Sequence, residues 1–131
     1  MSEMPINFPL NHPCPKPRRD IGSSDLVILG TDTDAGKTTF ALLFLTAFRD
    51  RFEYWKPVET GDSDSEKVRN LVAGAKVFPP LAGFAEPVAP ALAAKRECRS
   101  MPGVAEITAA LPASEKPLLI ETFVFRLCVA A

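Results

Sequence analysis

The chain has 131 residues, enough for one domain with a core of moderate size. Hydrophobic residues make up 47% and charged residues 24%, as in an ordinary globular protein, and the net charge of −1 does not favour nucleic acid or an anionic membrane surface as a partner. No apolar stretch approaches the roughly 20 residues of a membrane-spanning helix, so a chain that does not cross a membrane is expected.

The cysteines and the histidine narrow the possible chemistry. Cysteines at positions 14, 98 and 128 are widely spaced and match no metal-ligand or redox pattern, which favours free thiols in a reducing, cytoplasmic compartment. The single histidine, His12, lies in a proline-rich stretch, which argues against histidine-based catalysis and zinc binding.

The first structural element is predicted at residues 26–29. Residues 1–24 contain five prolines between positions 5 and 17, so a disordered, proline-rich extension is expected there. The apolar run that follows it is too short for the core of an export signal. Residues 26–29 are apolar and followed at once by a glycine, which is typical of a buried central strand in a parallel sheet.

A phosphate-binding loop is predicted directly after this strand. Residues 30–39 read Gly-Thr-Asp-Thr-Asp-Ala-Gly-Lys-Thr-Thr, and five residues separate Gly30 from Gly36 where the usual pattern has four. In such loops, backbone N–H groups and a helix N-terminus surround a polyphosphate, a lysine reaches the outer phosphates and a hydroxyl ligates Mg²⁺. Lys37 and Thr38 are the candidates for the last two roles.

A helix and a second strand are predicted after the loop. Residues 37–48 are apolar almost all round, so this helix needs cover from the sheet alone or from the sheet and a partner subunit. Residues 52–58 look like a strand that is cut off by Pro57. Lys56 stands at its carboxyl end, where ligands bind in open α/β sheets. Alone it indicates a solvated strand end, but beside a phosphate loop it is a candidate second positive charge for a transferring phosphate.

The remaining elements complete an α/β pattern. Residues 62–66 open a helix with the capping-box pair Ser63 and Glu66, and Gly74 is its expected stop. Its apolar stripe consists of Val68, Leu71, Val72 and Ala75. Short helices at 89–95 and 104–111 and a buried strand at 117–121 follow. This order predicts a P-loop NTPase-type parallel sheet flanked by helices.

Two acidic residues each have two interpretations. Asp64 could simply favour the helix N-terminus, or it could bind Mg²⁺ as acids do in many NTPases. Glu121 ends a buried strand, where an ionised carboxylate needs a partner, and Mg²⁺ is a suitable one. Residues 84–90, with two prolines three positions apart, indicate only an irregular loop by themselves.

Four segments together resemble the family of ATP-dependent dethiobiotin synthetases. Residues 30–38 match Gly-Thr-Asp-Thr-x-x-Gly-Lys-Thr, and residues 56–61 match Lys-Pro-Val-x-[Ser/Thr]-Gly. A Ser-Asp pair at 63–64 and a Phe-x-x-Pro-x-x-Pro segment at 84–90 follow in the family's order. The resemblance covers residues 26–121.

The resemblance implies ATP and Mg²⁺ as cofactors and assigns roles to individual residues. Lys56 and Lys37 would be catalytic, and Thr60 would contact the substrate. The implied ATP-binding residues are Thr33, Asp34, Ala35, Gly36, Lys37, Thr38, Thr39 and Asp64. The implied Mg²⁺ ligands are Thr38, Asp64 and Glu121.

The implied reaction belongs to biotin biosynthesis. An amine of 7,8-diaminononanoate takes up CO₂ (or bicarbonate) to give a carbamate, whose oxygen attacks the γ-phosphate of ATP. The second amine then closes the ureido ring of dethiobiotin with loss of phosphate. Catalysis of this kind rests on positioning and charge neutralisation and needs no protein nucleophile. A homodimer without nucleic-acid or membrane partners is also implied.

The resemblance stops at Glu121. The family continues with Gly-Ala-Gly-Gly near the phosphates, whereas this chain continues with Thr-Phe-Val-Phe. We expect a truncated or frameshifted gene, with a partial P-loop α/β domain at 25–121, an aberrant tail at 122–131 and the C-terminal half of the sheet missing. An unpaired apolar edge would then reduce solubility, and activity could be lost.

Other classes of protein share parts of this pattern. A deviant P-loop ATPase of the partitioning type is disfavoured, because its signature lysine would stand at Asp32, and Thr33 and Asp34 replace its two glycines. A cobyrinate-type amidotransferase shares the fold but requires a glutaminase region with a nucleophilic cysteine. A non-catalytic P-loop fragment that folds only with a partner is the remaining alternative.

Overall fold

A computed structural model describes residues 24–30 and 36–122. The predictions for residues 1–23 and 123–131, and for Thr33, Asp34 and Ala35 in the loop, fall outside the described residues. The elements in chain order are β1 Leu26–Ile28, α1 Lys37–Phe48, β2 Glu53–Trp55, β3 Val58–Thr60, α2 Asp64–Leu71, β4 Val77–Phe78, β5 Ala82–Phe84, α3 Pro90–Arg96, α4 Val104–Ala109 and β6 Leu118–Glu121.

The main sheet has four parallel strands in the order β1-β6-β2-β4, and β3 pairs with β5 in a second, two-stranded parallel sheet. The predicted α/β fold with a parallel sheet is therefore confirmed. β6 lies between β1 and β2 and is buried along its whole length. Its last residue, Glu121, stands opposite Ile28, so the acid lies at the carboxyl edge beside the end of β1.

Alternate residues of β6 pack into two different layers. Leu119 joins Ala41 and Leu45 of α1 and Val68 of α2 on one face of the sheet. Leu118 and Ile120 pack with Trp55 on the other face, against the region of α4. Because successive side chains of a strand point to opposite faces, Glu121 lies on the same face as Leu119, toward α1.

The prediction that residues 26–29 form a buried central strand is wrong in its burial. β1 forms where expected, but Leu26 and Val27 are 42% and 43% exposed and Leu29 is more exposed still. Within the described part of the chain β1 pairs with β6 alone, so its other edge has no neighbouring strand.

α1 has the predicted bounds, and the sheet covers one side of it. Its buried residues, Lys37, Ala41 and Leu45, form one stripe against the sheet. Phe40 and Leu43 remain largely exposed, while the main contacts of α1 within the described residues are with α2 and β6.

Two further boundaries differ from the sequence-based expectation. Pro57 divides the predicted strand at 52–58 in two, and the chain after it enters the second sheet. Ser63 caps α2 as predicted, but the helix ends at Leu71, before Gly74. Leu71 is exposed because α2 buries only a narrow face, through Val68 and Val72, against α1 and β4.

No helix among the described residues is long and apolar enough to cross a membrane.

Candidate active site

The start of α1 combines a glycine in the left-handed conformation with a buried lysine. Gly36 has the left-handed φ of 80°, and no side chain among the described residues caps the helix, whose N-terminus is the kind of backbone end that binds anions. Lys37 is 8% exposed, and a Cβ added to Gly30 would come within 2.8 Å of its Cδ. The absence of a side chain at Gly30 therefore lets the lysine lie across the end of β1.

Glu121 joins three elements at the carboxyl edge of the main sheet. Its Oε1 accepts a hydrogen bond from the Thr38 hydroxyl at 2.7 Å and lies 3.2 Å from Lys56 Nζ. Its Oε2 accepts a hydrogen bond from the Tyr54 hydroxyl at 2.5 Å. The carboxylate is fully buried, and these donors from α1, β2 and the segment after β2 satisfy it.

Lys56 lies between two carboxylates. Its Nζ donates to Asp64 Oδ2 as well as to Glu121, and Asp64 Oδ1 is 3.5 Å from Lys67 Nζ. Burial alone would lower the pKa of Lys56, but the neighbouring carboxylates outweigh it and raise the pKa above its ordinary value. Lys56 therefore remains positively charged at neutral pH and can interact with phosphate oxygens.

These side chains line one cavity of about 310 Å³. Six of its lining residues were predicted to be site residues: Lys37, Thr38, Lys56, Thr60, Asp64 and Glu121. Thr39 lies in the first turn of α1 and is exposed, and it does not line the cavity. Residues that are distant along the chain thus converge on one volume, as a phosphate-transfer site requires.

The second sheet supplies a wall that the sequence did not reveal. Thr60 stands opposite Phe84 in the β3–β5 pair, and the Gly61 N–H donates to the Phe84 carbonyl at 2.9 Å. A Cβ at Gly61 would come within 2.9 Å of Pro87 Cβ, so the two backbones approach closely here. Pro87 and Pro90 line the cavity. The segment at 84–90 therefore forms part of the site, although its prolines alone indicated only a loop.

Four residues at the candidate site were not predicted from the sequence: Tyr54, Gly30, Gly61 and Pro87. A tyrosine in an apolar strand gives no functional signal until its partner across the sheet is known. The glycines did carry a signal, because each stands at the edge of a matched motif, where close backbone approach is common.

The oxygen atoms that line the cavity are suitable ligands for Mg²⁺. Thr38 offers a hydroxyl, and Asp64 and Glu121 offer carboxylates, which are the hard oxygen ligands that this ion prefers. Within residues 24–30 and 36–122, no group of three or more histidine, cysteine or acidic residues is arranged to hold a metal ion by itself. Two carboxylates and a hydroxyl are nevertheless sufficient for Mg²⁺ when substrate phosphates supply further oxygens.

Comparison with known proteins identifies the family. A family model described as AAA domain matches residues 24–127. The chain therefore belongs to this family, in agreement with its parallel sheet and glycine loop.

The chain is also similar to curated ATP-dependent dethiobiotin synthetases, which confirms the resemblance predicted from the four motifs. It is 32% identical over 98 residues to that of Paramagnetospirillum magneticum, with 72% of this chain and 45% of the relative covered. It is 38% identical over 100 residues to that of Chlamydia felis, with coverages of 74% and 45%. It is 36% identical over 106 residues to that of Rhodopseudomonas palustris, with coverages of 76% and 47%. The chain spans about half the length of these relatives.

Proposed function

We propose that this site binds ATP with Mg²⁺ and supports the carboxylation and ring closure of 7,8-diaminononanoate to dethiobiotin, a ligase reaction of biotin biosynthesis. The observation that carries the proposal is the convergence of Lys37, Thr38, Lys56, Asp64 and Glu121 on one cavity at the carboxyl edge of a parallel sheet. The similarity to dethiobiotin synthetases supports the choice of reaction.

The charges of the cavity suit a polyphosphate with a divalent cation. The lysines at 37, 56 and 67 balance the acids at 62, 64 and 121, so ATP alone would leave the cavity with excess negative charge. Mg²⁺, held by Thr38, Asp64 and Glu121, would neutralise phosphate oxygens. Lys37 lies at the helix N-terminus to bind the outer phosphates, and Lys56 contributes its charge where the carbamate oxygen approaches the γ-phosphate.

Substrate binding is proposed for the side of the cavity near the second sheet. Thr60 offers a hydroxyl there, while Pro87 and Pro90 offer apolar surface to the carbon chain of the diamine. The close packing of Gly61 against Pro87 holds this wall in place.

Product formation tests the proposal directly. The purified chain is incubated with 7,8-diaminononanoate, bicarbonate, Mg²⁺ and ATP, and dethiobiotin is measured by mass spectrometry. We expect dethiobiotin and phosphate in equal amounts, and a loss of about 100-fold or more in Lys56→Met, as for other groups that stabilise developing charge. ATP binding without dethiobiotin would contradict the ligase function and favour a non-catalytic nucleotide-binding chain.

A further inference from the structure

One buried carboxylate near the site does not line the cavity. Glu59 lies in the middle of β3 and is 5% exposed. Its Oε1 accepts hydrogen bonds from the backbone N–H of Ser65, at 2.7 Å, and from the Ser65 hydroxyl. Its Oε2 accepts a hydrogen bond from the Ser63 hydroxyl at 2.8 Å. Both oxygens are therefore committed to the first turn of α2.

These contacts fix the start of α2 on β3. The first N–H groups of a helix have no partner within the helix, and a negative charge there is favourable. Ser63 accepts a hydrogen bond from the Glu66 N–H, and Glu59 accepts one from the Ser65 N–H. The helix start is thus bound to the neighbouring strand through a carboxylate that has little freedom to move.

Asp64 lies between the two serines that Glu59 holds. Its carboxylate contacts Lys56, which precedes β3, while Glu59 lies within β3 itself. The strand and the helix start therefore form one unit that carries both Lys56 and Asp64.

We propose that Glu59 is a positioning residue that holds Asp64 in the orientation needed to bind Mg²⁺ together with Glu121 and Thr38. This inference rests on the proposed function, because it assigns Asp64 to the metal. Glu59 acts through Ser63 and Ser65 and does not touch the cavity.

The chain offers a matched control. Glu53 is also a strand glutamate, is 4% exposed, accepts a hydrogen bond from the Ser114 hydroxyl and lies 3.4 Å from Lys76 Nζ. It stands at the amino end of β2, away from the cavity. Removal of either buried carboxylate should reduce stability, but only the loss of Glu59 should displace Asp64.

The test compares the ATP dissociation constant with EDTA and with Mg²⁺ for the wild type, Glu59→Ala, Glu59→Gln and Glu53→Ala. We expect Glu59→Ala to reduce the ratio of the dissociation constant in EDTA to that in Mg²⁺ by about 10-fold or more, as loss of a partner behind a metal ligand does. Glu53→Ala should leave this ratio unchanged. Glu59→Gln keeps one oxygen acceptor and should give an intermediate ratio. It also provides the decisive comparison if Glu59→Ala does not fold. A wild-type ratio in a folded Glu59 variant would overturn the proposal.

Amide hydrogen exchange separates failure of this inference from failure of the proposed function. If wild-type ATP binding does not depend on Mg²⁺, the proposed function fails, and with it the metal role of Asp64. The positioning of the helix start by Glu59 is still tested, because its loss should accelerate exchange of the Ser65 N–H and Glu53→Ala should not. Unchanged Ser65 exchange in the Glu59 variants would contradict that positioning.

Discussion

Single residues at the cavity combine high burial with full hydrogen bonding. Glu121 is fully buried, and desolvation of such a carboxylate costs several kcal/mol unless charge and hydrogen bonds offset it. Lys56 supplies the charge, and the hydroxyls of Thr38 and Tyr54 supply neutral donors. These contacts therefore offset the cost of burying the acid in the core.

Removing one hydrogen-bond donor of Glu121 should show how much the stability of the fold depends on these contacts. Tyr54→Phe keeps the ring and leaves Glu121 Oε2 without its 2.5 Å hydrogen bond, so we expect the free energy of unfolding to fall by about 1–3 kcal/mol. Thr108→Val is the control, because the Thr108 hydroxyl bonds an exposed helix carbonyl and its loss should have little effect. Urea unfolding measures both, and equal changes in the two variants would contradict the role of Tyr54.

Gly30 offers a second test at the scale of one residue. In Gly30→Ala the new Cβ would lie 2.8 Å from Lys37 Cδ, so the lysine must move from its place over the end of β1. We expect weaker ATP binding with little loss of helix content. Gly83→Ala should bind ATP as the wild type does, since nothing lies within 4 Å of a Cβ there. Isothermal titration calorimetry compares the variants, and unchanged affinity in Gly30→Ala would argue against this packing.

At the scale of elements, the site depends on contact between the second sheet and the segment at 84–90. Gly61 and Gly74 both have left-handed φ values, of 66° and 80°, but only Gly61 faces a close neighbour, Pro87. Gly74→Ala should cost about 1 kcal/mol for its backbone conformation. Gly61→Ala should cost about 1–3 kcal/mol more, because the added methyl group overpacks against Pro87. Thermal or urea unfolding gives the difference, and equal costs would show that the contact does not constrain this wall.

The elements that could be predicted from sequence are those with a local signal. α1 follows the glycine loop, and α2 begins at Asp64 because the side chain of Ser63 before it accepts a hydrogen bond from the Glu66 N–H. β3 and β5 each have three residues and depend on pairing with one another, so no local period announces them. The exposure of β1 also depends on which strand lies beside it, which its apolar residues do not encode.

The same distinction, between local sequence signals and contacts between distant segments, applies to the candidate site. Lys37, Thr38, Lys56, Asp64 and Glu121 belong to matched motifs or strand ends, and the structure places all five at one cavity. The partners of Glu121 could not be predicted, because Tyr54 becomes its neighbour only through the register of β2 and β6. The predicted homodimer, the cytoplasmic location and the domain limits stay predictions.

At the scale of the whole molecule, the buried network should make stability sensitive to alkaline pH. Burial and the Glu121 carboxylate raise the pKa of Tyr54 above its ordinary value of 10.0, and the pKa of Lys56 is also raised, from 10.5. The unfolded chain therefore loses these protons first. The stability that they contribute is fully present below about pH 10 and declines as the pH rises further.

The slope of this decline is measurable. Each group should contribute up to about 1.4 kcal/mol per pH unit above its unfolded pKa. Unfolding free energies are measured from about pH 9 to pH 11. Tyr54→Phe should show a shallower decline than the wild type, while Thr108→Val should keep the wild-type slope. An unchanged slope in Tyr54→Phe would mean that this hydroxyl does not ionise more readily on unfolding.

The most direct test of the assembled site is calorimetric titration of the chain with ATP in the presence of Mg²⁺. We expect saturable binding with one site per chain, weakened by about 10-fold or more in Lys37→Met, because a charge-assisted contact with phosphate is lost. Lys116→Met is the control, since Lys116 is exposed and precedes the amino end of β6. Absence of ATP binding by the wild type, or equal affinity in Lys37→Met, would contradict a phosphate site at the carboxyl edge of the sheet.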